Sequence, residues 1–442
     1  LRAHYYFELS RLFNKIPYFD ENVEISQYPD IPNNEFTRDE ILSMLAKEML
    51  DAAEQLPASQ PEVGSIHKYI AMAYAAKIKL YQAYQQDEIT HAVTSINKEL
   101  LREVVSLCDQ VTASNRYGLL DDFQGLDLVT NENGKESVFA IQYSMNDGTE
   151  SAGRINWSNL LNSPGGGSPY GGDGFFLPSQ DLINAYQTDA NGLPDFNYQS
   201  KSDYSWAVLN NGVYTLQNTT PNVDPRLDFV VGRPTITWKT YPDKPCEGWV
   251  RDKDTYGYNC AKRFWVSPES SDMFNGWPWG ASQLNWQIIR YADILLWKAE
   301  ALIELNEGNG LETARDLINQ IRNRARNSAY VKDFNDHSKY AANYLVNPYP
   351  ADVWNQDYAR QALRWETRLE KALEGERFFD LVRWGIVETT MNNYITAESD
   401  NRIYYANAHF TGGKDEYYPV PNNQYGFSGG KYVQNPGYAP FN

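Results

Sequence analysis

The chain has 442 residues, of which 42% are hydrophobic and 22% charged, a balance that is typical of a globular protein with a sizeable core. Its formal net charge of -18, from 57 acidic and 39 basic residues, argues against a nucleic-acid partner, because polyphosphate binding needs clustered Lys and Arg. The sequence contains no apolar run long enough for a transmembrane helix.

The first part of the chain, residues 1–120, is predicted to be a helical scaffold. It begins with LRAHYYFELSRLF, whose residues already follow a helical pattern at the first position. The segment does not resemble a signal peptide. We therefore expect the natural N-terminus to lie upstream. Thr37 and Glu40 have the spacing of a capping box, and apolar residues follow at helical spacing until Pro57. A second helix opens near Ser65, and the short link between the two predicts an antiparallel hairpin.

Residues 121–286 differ in composition from the scaffold. Within them, the window 147–286 holds 8 of the 12 Trp, 15 of the 29 Gly and 11 of the 22 Pro. Such a stretch cannot be regular helix, and it is too rich in aromatic residues to be disordered. We therefore expect an irregular but folded ligand-binding region that the scaffold carries.

Residues 287–390 return to a helical pattern. A stripe of apolar residues runs from Ile288 to Leu302, a turn follows at 307–310, and a facing stripe runs from Ala314 to Ala325. Small Ala residues between the stripes are typical of tetratricopeptide-like helix hairpins. A further helix is predicted over roughly 359–384, followed by an irregular C-terminal segment, 391–442. The predicted fold class is all-α dominated: a tetratricopeptide-like α-α superhelix with a large irregular loop region.

Motifs for catalysis, metals or cofactors are missing from the sequence. The five His fall in no zinc motif, and neither a GxSxG elbow nor a P-loop occurs. The segment GGGSPYGG, residues 165–172, lacks the GxGxxG order and is interpreted as a flexible or tight-turn loop near a binding surface. Segments beginning at Asp189 and Asp252 start like calcium loops but break the ligand pattern early, so a calcium ion remains open. We predict no cofactor and no metal site.

The three cysteines leave one alternative open. Cys246 and Cys260 lie in one polar loop and are either joined in a disulfide or two unrelated thiols, since sequence spacing does not show the Cα separation. Cys108 lies on an apolar helical face and is predicted to be a small buried residue.

A carboxylate-rich segment, residues 366–385, could be read in two ways. Glu374 and Glu376 would be the acid and nucleophile of a glycoside hydrolase if their carboxyl groups stood about 5 to 9 Å apart. Acidic and basic residues alternate at i,i+3 and i,i+4 spacing, however, which is typical of a structural network of ion pairs. We favour the structural interpretation and predict that the protein is not an enzyme.

The chain resembles the SusD/RagB family of outer-membrane lipoproteins. The resemblance covers essentially the whole chain in the family's order. The segments that carry it are RAHYYFELSRLF near the start, LPSQDLINAY (177–186), DPRLDFVVG (224–232), CAKRF (260–264), IIRYADILLWKAEALIELN (288–306), EGERFFDLVRW (374–384), YYPVPNNQ (417–424) and QNPGY (434–438).

The resemblance implies a non-catalytic function at the cell surface. Family members are anchored to the outer membrane by an N-terminal lipid on its extracellular face and cap a SusC-like TonB-dependent transporter. They capture glycans, or peptides in the RagB branch, and pass them to the pore. The lipidated N-terminal portion of the family pattern is lacking in this sequence, so part of the ligand site is expected upstream.

A glycan site needs flat aromatic faces for sugar rings and planar polar groups for hydroxyls. The loop tryptophans form the candidate pool, which also includes Trp265 and Trp279, and we expect two or three of them to be exposed binders because the region also needs a core. Trp206, Trp238 and Trp249 rank first by position, and Trp157 and Trp277 follow. The predicted polar partners are Asn210, Asn211, Arg154, Asn156 and Asp173, each beside an aromatic residue or a glycine turn.

Overall fold

The computed structural model describes most of the chain. The described residues are 1–149, 153–205, 207–210, 213–216, 221–239, 241, 245, 247–277 and 279–441, with the backbone alone at 207–210 and 213–216.

The α-helices are α1 (Arg2–Leu12), α2 (Arg38–Gln55), α3 (Lys68–Ala83), α4 (Lys98–Ala113), α5 (Asn159–Asn162), α6 (Gln180–Ala185), α7 (Arg226–Val230), α8 (Lys253–Tyr256), α9 (Tyr291–Leu305), α10 (Gly310–Asn327), α11 (Gln356–Glu370), α12 (Arg377–Arg383), α13 (Val387–Glu398) and α14 (Asn422–Phe427). The strands are β1 (Tyr84–Gln86), β2 (Val93–Ile96), β3 (Ser137–Ile141), β4 (Gln187–Thr188), β5 (Ala207–Asn210), β6 (Val213–Leu216), β7 (Asn222–Val223), β8 (Val231–Gly232), β9 (Cys260–Ala261) and β10 (Trp286–Arg290).

The first predicted helix boundary is confirmed in detail. Thr37 Oγ1 accepts a hydrogen bond from the Glu40 amide, and Glu40 Oε2 accepts one from the Thr37 amide at 2.8 Å, which completes the capping box of α2. The helix ends at Gln55, before Pro57. The next helix, α3, begins at Lys68 rather than near Ser65.

The helices pack as hairpins in a continuous scaffold, as the sequence predicts. Helix α2 packs on α3, α3 on α4, α4 on α9 and α9 on α10, and α11 packs across the last pair. The alanines Ala292, Ala299 and Ala314 are fully buried, and their small side chains allow the helices to approach closely. Asn306, in the left-handed conformation (φ 50°), ends α9 and starts the turn. The predicted helix-hairpin fold class is confirmed.

Two predicted helix boundaries are wrong. Ile288 lies in β10, which pairs antiparallel with β3, so helix α9 begins only at Tyr291. The helix expected over 359–384 is broken in two, because Leu373 (φ 67°) and Gly375 (φ 82°) adopt left-handed conformations between α11 and α12. The helical spacing of the apolar residues continues across this turn, so the spacing alone does not reveal that the helix is broken.

The region between α4 and α9 is irregular, and it has its own core. Its helices are only four to six residues long, and its strands form two-stranded antiparallel ribbons that pair β3 with β10, β4 with β7, β5 with β6 and β8 with β9. One buried cluster consists of Tyr170, Trp238, Trp249, Cys260, Ala261 and Trp265. None of the helices in the described ranges is both long and apolar enough to span a bilayer.

Candidate ligand-binding site

Four exposed aromatic side chains lie in three segments of the irregular region. The exposed fractions are 52% for Trp157, 75% for Phe175, 62% for Trp277 and 46% for Trp279, and the neighbouring Leu161 is 53% exposed. We call these five residues the aromatic face. Large apolar side chains that stay exposed in a soluble domain are candidates for ligand contact.

One half of the aromatic face is built by pairing of two segments. The amide of Asp173 donates to Leu160 O at 3.2 Å, and the amide of Phe175 donates to Leu161 O at 3.0 Å. These bonds hold Phe175 beside the short helix α5, which begins two residues after Trp157.

The other half stands on a hairpin. Met273 and Ser282 form an antiparallel β-bridge, and the amide of Phe274 donates to Ala281 O at 2.8 Å. Trp277 and Trp279 therefore lie at the tip of this hairpin. The Asn156 amide donates to Ser282 O at 3.0 Å, and Asn159 Nδ2 donates to Gly280 O at 3.4 Å. The backbone therefore sets the tryptophan hairpin against the segment that carries Trp157.

The glycine-rich loop, residues 165–172, supports this arrangement by close packing, as a tight-turn interpretation predicts. A Cβ at Gly166 would lie 2.1 Å from Gly248 O, and Gly166 is left-handed (φ 60°). A Cβ at Gly171 would meet Trp279 Cγ and Cδ1 at 3.9 Å, so the indole ring lies over the loop. Glycine is required here because a side chain would separate the segments.

Two of the highest-ranked tryptophans are not exposed, which corrects the prediction. Trp238 and Trp249 are 0% and 1% exposed, their rings are 5.5 Å apart, and Trp238 Nε1 donates to Ala261 O at 3.1 Å. Trp265, also in the candidate pool, is 1% exposed. The described part of the irregular region has helices of only four to six residues, and large aromatic rings fill its core instead of long helix faces.

Three further candidates cannot be placed. Trp206 and Asn211 lie outside the described residues, and for Asn210 only the backbone is described, as the last residue of β5. Their role in binding remains a prediction.

Two of the predicted polar partners, Arg154 and Asp173, lie at the surface. The prediction for Asn156 is wrong, because it is 3% exposed and its Oδ1 accepts hydrogen bonds from the amide and the hydroxyl of Ser158. The Arg154 side chain is 74% exposed, with Nε 3.6 Å from Asp147 Oδ2. Asp173 is paired with Arg251, whose Nη2 lies 3.3 Å from Asp173 Oδ1 and donates to Gly172 O at 2.9 Å. Arg251 was not a predicted site residue, although it follows Trp249 in a loop rich in turn residues.

The described residues provide no metal centre: no group of three or more His, Cys, Asp or Glu among them could hold an ion. Asp189 Oδ1 accepts from the amides of Asn191 and Leu193, and Asp252 Oδ1 accepts from the amide of Thr255, so both carboxylates stabilise turns. Cys108 and Cys260 are buried free thiols, and Cys246 lies outside the described residues. Burial raises the pKa of Cys108 to about 12.

Glu374 lies in buried ion pairs, and Glu376, whose side chain is partly buried, pairs with Arg11 and Lys77. Desolvation raises the pKa of Glu376, but Lys77 and Arg11 outweigh it and lower that pKa to about 2. Desolvation also raises the pKa of Glu374, but the neighbouring cations Arg290 and Lys371 outweigh this effect and hold that pKa below its usual range. A general acid near neutral pH needs a raised pKa, so the lowered pKa of both carboxyls argues against that role.

Comparison with known proteins shows relatives along the whole chain. Residues 135–438 match the sequence profile of the SusD family. The SusD-like protein P2 of Formosa agariphila is 25% identical over 387 residues, which are 86% of this chain and 63% of that protein. The chain thus spans less than two thirds of the length of this curated relative.

Solved structures share the fold. A SusD superfamily protein from Bacteroides vulgatus superposes with a TM-score of 0.67 and 21% identity, covering 99% of this chain and 76% of that chain. Surface glycan-binding protein A from Bacteroides fluxus gives a TM-score of 0.61 and 19% identity, covering 99% and 76%. The profile match covers more than half of the chain, and the fold agrees with it: this chain belongs to the SusD family.

Proposed function

We propose that the protein captures a glycan on the aromatic face and delivers it to a SusC-like TonB-dependent transporter, without catalysing a reaction. The observation that carries the proposal is the joint exposure of Trp157, Phe175, Trp277 and Trp279 on segments that hydrogen bonds hold together.

The chemistry of the aromatic face suits a carbohydrate. The C–H faces of pyranose rings pack on indole and phenyl rings, which offer a large contact area at little cost in side-chain entropy. The ion pair of Asp173 with Arg251 is partly exposed and close to Phe175 in the chain, so it can donate to and accept from sugar hydroxyls. A protein of the same fold is described as a surface glycan-binding protein, which supports this ligand class.

The cellular setting is part of the proposal. We place the protein on the extracellular face of the outer membrane, held there by an N-terminal lipid anchor, next to the transporter that receives its ligand. This setting is supported by membership of the SusD family. No cofactor is required by the proposed function.

A binding panel tests the ligand class. The purified protein is titrated calorimetrically, and run by affinity electrophoresis, against neutral and acidic polysaccharides and against a set of peptides. Binding to at least one glycan and to no peptide is expected. Binding to peptides alone would replace the proposal with the peptide-capturing function of a RagB-like protein.

A further inference from the structure

A second concave surface lies apart from the exposed tryptophans. It is a cavity of about 570 Å³ between residues 120–131, residues 262–272 and Lys239, and we call it the Arg263 cavity. Its volume is within the range of small-molecule sites, roughly 300 to 1,000 Å³. Apolar side chains line much of it, namely Leu120, Phe123, Leu128, Val129, Phe229 and Val266.

The carboxylates of the Arg263 cavity are already occupied. Both oxygens of Asp122, of Asp127 and of Asp272 accept hydrogen bonds from the protein itself. The donors are the amides of Gln124 and Ala329 for Asp122, the side chains of Arg263 and Lys239 for Asp127, and those of Gln283 and Ser270 for Asp272. Asp121, whose side chain is 97% exposed, is paired with Lys135 at the rim.

Among the described residues, the cations of the cavity have hydrogen-bond donors without an acceptor. Lys239 Nζ donates to Asp127 Oδ2 at 3.2 Å, and within the described part of the chain it has no second acceptor for its three hydrogens. Arg263 uses Nε for Asp127 and Nη1 for Glu374, and no described residue accepts from its Nη2. Lys262 Nζ donates to two backbone carbonyls and faces no carboxylate at hydrogen-bond distance among the described residues.

The free donors are held in place. The Arg263 guanidinium lies 5.1 Å from the Phe123 ring centre and 4.6 Å from that of Phe264, so it is packed between two aromatic rings. Lys239 (φ 49°) and Phe264 (φ 72°) are both left-handed, a conformation that non-glycine residues keep only where the surrounding structure imposes it. The cavity therefore presents fixed cationic donors, and each oxygen of three of its carboxylates already accepts a hydrogen bond from the described residues.

We propose that the Arg263 cavity binds the carboxylate of an acidic sugar, a hexuronate unit, through Lys239 and Arg263. The apolar walls would take the C–H faces of the ring, and the cations would take the carboxylate as charge-assisted hydrogen bonds. The net charge of -18 opposes an anion only weakly at the cavity, because exposed charges more than a Debye length away, about 8 Å at physiological ionic strength, are largely screened. The ligand class rests on the proposed glycan capture, whereas the anion site does not.

A matched pair of sugars tests the site in the unmodified protein. Galacturonate and galactose differ in having a carboxylate or a hydroxymethyl group at C6. In hydrogen–deuterium exchange, galacturonate is expected to protect residues 120–131 and 262–272, and galactose is not. Equal protection by both sugars, protection confined to 155–175 and 273–282, or no protection at all would overturn the proposal.

A charge-removing variant sharpens the test. Lys239→Gln is expected to weaken galacturonate binding at least tenfold in calorimetric titrations, while Lys339→Gln, at an exposed lysine with a side chain 73% accessible, leaves it unchanged. Unchanged galacturonate binding in folded Lys239→Gln would contradict the assignment. Should Lys239→Gln fail to fold, the exchange pattern of the unmodified protein decides alone.

The failure of this proposal can be told from failure of the proposed function. Replacing Trp277 and Trp279 by Ala is expected to leave galacturonate protection of the cavity intact. Loss of galacturonate binding in that variant, with Lys239→Gln unaffected, would place the acidic sugar on the aromatic face and overturn the cavity site while keeping glycan capture. Tighter protection of the cavity by a peptide with a free C-terminus than by galacturonate would overturn the sugar assignment.

Discussion

Arg290 and Glu374 are joined by two hydrogen bonds, from Nη2 to Oε1 at 2.7 Å and from Nε to Oε2 at 3.3 Å, with both side chains buried. Arg290 is the last residue of β10, and Glu374 lies in the turn between α11 and α12. Glu374 also accepts from Arg263, which lines the Arg263 cavity. One buried network thus joins the scaffold helices to the irregular region.

Glu370 is the carboxylate at the centre of this network, and its removal should be costly. It pairs with Arg226, Arg290 and Arg324 and is 0% exposed. Glu370→Gln leaves buried guanidinium groups without their counter-charge, so we expect the free energy of unfolding to fall by about 3 to 5 kcal/mol. Urea denaturation followed by circular dichroism measures the loss.

The matched control for Glu370→Gln is an exposed pair. Lys47 and Asp51 pair at i,i+4 on α2, with side chains 74% and 52% exposed. Lys47→Ala should cost no more than about 0.5 kcal/mol. Similar losses for the two variants would contradict a central structural role for the network.

Acid should destabilise the protein between pH 4.5 and pH 2. Desolvation raises the pKa of Glu370, but Arg324, Arg290 and Arg226 lower it to about 2, and the pKa of Glu376 is also about 2. A carboxyl whose pKa is lowered in the folded state stabilises that state fully at pH values above its pKa in the unfolded chain, which is near 4.5. It loses this contribution as the pH falls to its pKa in the folded state. Thermal unfolding at several pH values should show a melting temperature that drops across this interval. A flat profile would contradict the pairing.

Catalysis by the carboxylate-rich segment is not expected. Because the cations around Glu374 and Glu376 keep both carboxylates ionised, the purified protein should release no reducing sugar from any polysaccharide that it binds. A reducing-sugar assay over many hours is sufficient. Release that disappears in a folded Glu376→Gln variant would establish a hydrolase instead.

The close approach of Gly166 to Gly248 should make the glycine loop intolerant of side chains. An alanine at 166 would adopt a left-handed backbone and would clash with Gly248 O, so Gly166→Ala should lower stability by roughly 2 kcal/mol or more. Gly426→Ala serves as the control, because a Cβ there meets nothing within 4 Å and the residue lies in α14. Equal melting temperatures for the two variants would show that the packing of 165–172 is loose.

The scaffold could be predicted from the sequence because local rules determine it. The capping box of Thr37 and Glu40, the stop before Pro57 and the alanine stripes of α9 and α10 depend on neighbours within a few residues. The break between α11 and α12 escaped prediction, since Leu373 is not a residue type that signals a left-handed turn.

The binding residues were harder to predict, because exposure depends on which distant segments pack together. Trp238 and Trp277 are both loop tryptophans among Gly and Pro, yet one is 0% and the other 62% exposed. The flanking of Trp277 and Trp279 by Gly276 and Gly280 was a usable signal, since such residues favour a turn tip whose side chains project outward. Position along the chain, the criterion that favoured Trp238, carries no such information.

The most direct test of glycan capture is calorimetric titration of the Trp277→Ala/Trp279→Ala variant with the polysaccharide that the unmodified protein binds. Phe427→Ala, at an aromatic residue 53% exposed on α14, is the control for loss of surface aromatic area. Loss of two stacking rings should cost about 2 kcal/mol or more, which is about a thirtyfold fall in affinity, with Phe427→Ala unchanged. Undiminished binding by the folded tryptophan variant would contradict capture on the aromatic face.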